Sequence, residues 1–137
     1  MKVITLCGST KFKKEFIETA RLLTMQTYIV LSPAIYEHAE EIHLNENKKQ
    51  LLDKMHRQRI DMSEAIIVIN KNGYIGESTA GEIEYARSQG KEVYYRYMYC
   101  NKDCALYDDT FCEACNLPAF GRMTEEKFPQ CPLYCKK

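Results

Sequence analysis

The sequence predicts an α/β fold built on a parallel sheet, and three observations carry that reading. Short apolar runs rich in β-branched residues alternate with segments of helical periodicity from residue 2 to 97. One of those runs, AIIVIN, is apolar at every position but its last, as a central strand covered on both faces requires. After Tyr97 the periodicity stops, and six of the 7 cysteines follow in a stretch that reads as a small separate unit.

In chain order, KVITLC (2–7) is the first strand and ends at a GST loop. KFKKEFIETARLLTMQ (11–26) places Phe12, Phe16, Ala20 and Leu23 at helical spacing, with lysines on the other face. YIVLSP (28–33) is a second strand stopped by Pro33. From about Glu40 to Met62 the pattern is helical again, with Leu51, Leu52, Met55 and Met62 as the expected apolar stripe. AIIVIN (65–70) is the third strand. STAGEIEYARSQG (78–90) is a helix with Ser78 as expected N-cap and Gly90 as its stop. KEVYYRY (91–97) is the fourth strand. The expected architecture is a Rossmann-like (flavodoxin-like) parallel sheet between helices over 1–97, with a cysteine-rich, metal-binding unit over 98–137.

Composition narrows the function. In 137 residues, 19 Lys and Arg balance 19 Asp and Glu, which argues against general nucleic-acid binding. There is no run of about 18 apolar residues to cross a membrane. MKVITLCGST reads as a strand rather than a secretion signal, so a cytoplasmic protein is expected.

In open parallel sheets, ligands bind beyond the carboxyl ends of the strands. Those ends carry CGST (7–10), SPAIYEH (32–38) and NKNGYIGEST (70–79). Gly8-Ser9-Thr10 running into a helix is a reasonable phosphate cradle, offering a close backbone approach, hydroxyls and free N–H groups. It is neither a Walker A loop nor G-x-G-x-x-G, and a tight turn with Ser9 or Thr10 as N-cap is the plainer alternative. Glu82 falls about one turn into the third helix. Its plain role is to meet the helix dipole, and its functional role is a carboxylate facing the loops. Glu64 and Asp61 precede the third strand and read first as exposed charges.

The segments LCGST, SEAIIVI and GYIGESTAGEIEYARSQGKEV resemble the nucleoside 2-deoxyribosyltransferase superfamily, and in the first loop its 2'-deoxynucleoside 5'-phosphate N-hydrolase branch. The likeness spans about residues 3–95. It implies that Glu82 is the nucleophile attacking C1' of the sugar, with Glu64 as the second acid. A 5'-phosphate would be held by Gly8, Ser9 and Thr10 together with Gly76, Ser78 and Thr79. The implied ligand is a nucleoside or nucleotide, with no organic cofactor, and the implied assembly is a homodimer. Departures are Glu64 where the family has Asp, Glu84 where it has a small residue, Lys11 and Phe12 after the first loop, and a tail with no counterpart. Alternatives are a non-catalytic nucleotide-binding or sensing module on the same fold, an interaction protein working through its tail, and NAD glycohydrolysis.

The tail reads C-x3-C, x7, C-x2-C, x15, C-x3-C, formed by Cys100, Cys104, Cys112, Cys115, Cys131 and Cys135. Cys112 and Cys115 with Cys131 and Cys135 approximate a structural zinc ribbon, with Cys100 and Cys104 as an alternative first pair. Reduced thiols, or disulfides in an exported chain, are the other readings. His38, His43 and His56 form no H-x-x-x-H pair, and only His38 is placed to face a site loop. Tyr94, Tyr95, Tyr97 and Tyr99 suit sheet packing, base stacking or a dimer contact.

Overall fold

The computed structural model describes residues 2–99, 121–123 and 129. The tail cysteines lie outside these residues. The element order is β1 (Val3–Gly8), α1 (Lys13–Met25), β2 (Ile29–Leu31), α2 (Glu46–Met62), β3 (Ala65–Ile69), α3 (Glu77–Ser88), β4 (Glu92–Tyr95), β5 (Tyr97–Tyr99) and β6 (Gly121–Met123). Strands β1 to β4 form a parallel sheet of order β2-β1-β3-β4. β5 and β6 pair in a second, two-stranded parallel ladder.

Sheet sidedness follows from strand periodicity. Ile4 and Leu6 of β1, with Ile67 and Ile69 of β3, pack against Phe12, Phe16 and Leu23 at and along α1. Cys7, Ile66 and Val68 point the other way, into a cluster with Ile60 of α2 and Ile83 and Ala86 of α3. β3 is buried at all five positions, as its two-sided apolar run requires. Thr5 and Cys7 of β1 face these helices, the Thr5 hydroxyl donating to Arg59 C=O at 2.9 Å, and Cys7 is the last residue before the chain turns at Gly8.

Two expectations about helices need correction. The stripe Leu51, Met55 and Met62 is exposed, while α2 buries His56 and Ile60. The inward row of α2 is Leu52, His56 and Ile60, spaced i, i+4, i+8, and a histidine in that row hides it from an apolar count. Ser78 does not cap α3. The N-cap is Gly76, with no side-chain hydrogen bond, so the first-turn N–H groups of α3 receive no side-chain cap. At the other end Gly90 does stop α3. Its φ is +73°, and Lys91 N–H to Ala86 C=O (3.0 Å) with Gly90 N–H to Arg87 C=O (3.0 Å) closes a Schellman motif.

Candidate functional site

The carboxyl ends of β1 and β3 and the N-terminus of α3 surround a cleft of about 510 Å³, within the usual range for small-molecule sites. The strand order reverses between β1 and β3, which is where open α/β sheets place ligands. Gly8, Ser9, Thr10, Gly76, Ser78, Thr79 and Glu82 all line this cleft, so the structure brings together the two loops and the glutamate.

Gly8 sits where β1 ends, at φ +151°, and a Cβ there would lie 2.9 Å from Ile69 C=O. Only glycine lets the first loop leave the sheet this close to β3. Ser9 then caps a single 3₁₀ turn by accepting from Lys11 N–H at 3.4 Å. The Thr10 hydroxyl is engaged by His38 Nδ1, tying the first loop to the second.

Glu64 is not part of this arrangement. It precedes β3 at the amino edge of the sheet, is exposed, and its carboxylate accepts the Val3 N–H at 2.9 Å. The five residues of β3 put roughly 16 Å of strand between the two edges. The expected pairing of Glu64 with Glu82 is thus not made. The residue before a parallel strand lies at the end away from the cleft. Asp61 is likewise occupied elsewhere, accepting the Tyr85 hydroxyl at 2.7 Å. The lysines after the first loop are not among the residues lining the cleft. Lys13 pairs with Glu40 at 3.3 Å, and the Lys11 ammonium lies 3.4 Å from the Tyr74 ring centre. Lys49 and Arg59 of α2 supply cationic side chains to the cleft lining, which also includes His38.

Glu82 lies on the cleft floor with two neighbours that the sequence reading gave no role. His56 Nε2 is 3.7 Å from Glu82 Oε2, and the Cys7 thiol is 3.3 Å from His56 Nε2. The ligand-type atoms of all three lie within 4.8 Å of one another. Burial pushes the Glu82 carboxyl up to about 7, and the negative charge of Asp53 adds to this, while the Cys7 thiol and Arg57 oppose it. Burial also holds His56 down to about 4, with Arg59 adding, so the imidazole is neutral at pH 7 and its contact with Glu82 is not an ion pair. Burial raises the Cys7 thiol well above its ordinary value, with the Glu82 charge contributing. Glu82 Oε2 and His56 Nδ1 are buried without a hydrogen-bond partner.

The floor can therefore offer a nucleophilic or proton-transferring carboxyl, and it can offer three donors of metal-ligand type. Among the described residues no helix is long and apolar enough to cross a membrane. The sequence matches no protein-family model and no curated protein.

Proposed function

We propose that this chain cleaves the N-glycosidic bond of a nucleoside 5'-monophosphate or nucleoside, with Glu82 as nucleophile. One observation carries this reading: a half-buried carboxylate, with one oxygen buried and unpartnered, stands on the floor of a cleft flanked by two small-residue loops. In this reaction a Glu82 oxygen bonds to C1' as the C1'–N bond breaks. The bonding pair leaves with the base, which takes its proton from solvent. Water then attacks C1' of the glycosyl ester, releasing the sugar and restoring the carboxylate, or a second base takes the sugar instead. Positive charge builds on the sugar in each transition state, and a carboxylate beside it favours that charge. Ser9, Ser78 and the uncapped first turn of α3 offer donors to a 5'-phosphate, with Lys49 and Arg59 on the wall.

This reading accords with the resemblance to the nucleoside 2-deoxyribosyltransferase superfamily and keeps its Rossmann-like, flavodoxin-like architecture, but assigns no role to Glu64. The test is chromatography of purified protein incubated with nucleosides, deoxynucleoside 5'-monophosphates and NAD, beside Glu82→Ala. Free base from the native chain, reduced about a thousandfold or more in the variant, is expected. Nucleotide binding by both proteins without base release would select a binding module instead.

A further inference from the structure

Three side chains of different chemistry converge at the base of the cleft from three elements: His56 from α2 and Glu82 from α3 line it, and Cys7 from β1 lies buried behind them. Cys7 is fully buried and His56 is 6% exposed. As packing alone this trio is costly, because Glu82 Oε2 and His56 Nδ1 are buried without partners. We propose that Cys7, His56 and Glu82 form a binding site for a thiophilic divalent cation of the zinc class, whose remaining coordination position opens on the cleft.

The spacing fits such an ion. Around tetrahedral zinc, a sulfur at about 2.3 Å and nitrogen or oxygen at about 2.0–2.1 Å stand roughly 3.3–3.6 Å apart. The Cys7–His56 and His56–Glu82 separations are 3.3 and 3.7 Å, and all three donors lie within 4.8 Å of one another, so two of the three donor pairs already stand near ligand spacing. A thiolate donor disfavours magnesium and calcium, which take oxygen ligands. Three protein donors with an open position differ from a closed four-thiolate structural site, so this site is distinct in kind from one built by the tail cysteines. The ion would bond the Glu82 oxygen that otherwise has no partner, and Cys7 and Glu82 would give up their protons on binding. A further consequence rests on the glycosidic reading: a carboxylate held by the cation cannot attack C1', so the metal switches the site off and substrate competes with it.

The experiment uses the full chain, stripped with chelator and titrated with zinc chloride, beside Cys7→Ser and Glu82→Gln. Because the tail cysteines can also take zinc, the readout is the difference between native and variant, together with anomalous diffraction from zinc-soaked crystals. The expected result is an anomalous peak bonded to Cys7 Sγ, His56 Nε2 and Glu82, and loss of one equivalent, or at least a tenfold weakening of it, in each variant. Equal zinc binding by native and variants with no peak on the cleft floor overturns the proposal. If Cys7→Ser fails to fold, the peak and Glu82→Gln decide. If the native chain releases no base, the glycosidic reading falls while the zinc result still stands or falls by itself.

Discussion

At the scale of the residue, Glu82 combines a functional position with an electrostatic cost. Its ordinary value of 4.5 is raised to about 7, so the folded chain binds a proton more tightly than the unfolded chain. A carboxyl raised in this way leaves stability intact below about pH 4.5 and reduces it as pH climbs through 7. Glu82→Gln removes the titration. In chelator, the variant is expected to gain on the native protein as pH rises from 4 to 8, by roughly 3 kcal/mol at most. Thermal melts across that range check it, and parallel pH profiles for the two proteins would contradict it. Gaining stability while losing base release is the behaviour expected of a residue kept for function. Glu82 was legible in the sequence because a carboxylate one turn past a glycine-rich loop points to the strand ends. Its neighbours were not. Cys7 looked like one more apolar strand residue, and His56 interrupted the only row that would have shown which face of α2 turns inward.

At the scale of the element, β1 and β3 position the cleft and α3 supplies its floor. Two glycines at the ends of these elements have different consequences. Gly8→Ala forces a Cβ toward Ile69 C=O, 2.9 Å away, in a backbone conformation that alanine rarely adopts. The loop carrying Ser9 and Thr10 must move, so base release should fall together with a stability loss of roughly 1–3 kcal/mol. Gly90→Ala meets no atom within 4 Å but keeps φ at +73°, costing roughly 1–2 kcal/mol with no change in the site. Denaturant melts paired with base-release kinetics distinguish the two. Equal loss of activity per unit of lost stability would mean that the Gly8 turn does not shape the cleft. The elements themselves were readable from alternation and periodicity, since each strand's apolar run and each helix's period leave a local signature. The placement of Glu64 was not, because which edge of a sheet a loop reaches depends on strand direction. A residue just before a parallel strand is carried to the edge opposite a residue just after it.

At the scale of the whole molecule, one buried side chain links the parallel sheet to the start of the smaller ladder. Asn70 follows β3 directly and is fully buried. Its amide donates to Tyr97 C=O at 2.9 Å, and its oxygen accepts Tyr97 N–H at 2.9 Å, so it acts as a surrogate strand neighbour for the first residue of β5. Just before it in space, Arg96 N–H still bonds Val68 C=O at 2.8 Å. The sequence places a boundary near Tyr97, where the fourth apolar run ends, and Asn70 is the group that bridges this point. Asn70→Ala leaves both Tyr97 backbone groups without that partner, a loss of about 1–3 kcal/mol. Asn70→Asp keeps an acceptor for the N–H but loses the donor to the carbonyl, so at neutral pH it also brings a carboxylate against Tyr97 C=O. Both variants should lose hydrogen-exchange protection at Tyr97, while Ile66 and Ile67 in the middle of β3 stay protected up to the global unfolding free energy. If protection at Tyr97 and in β3 fell together, Asn70 would be part of the main sheet's cooperative unit. If Tyr97 alone is released, the smaller ladder opens separately, and the cleft at the β1–β3 switch point should keep its shape and its chemistry without it.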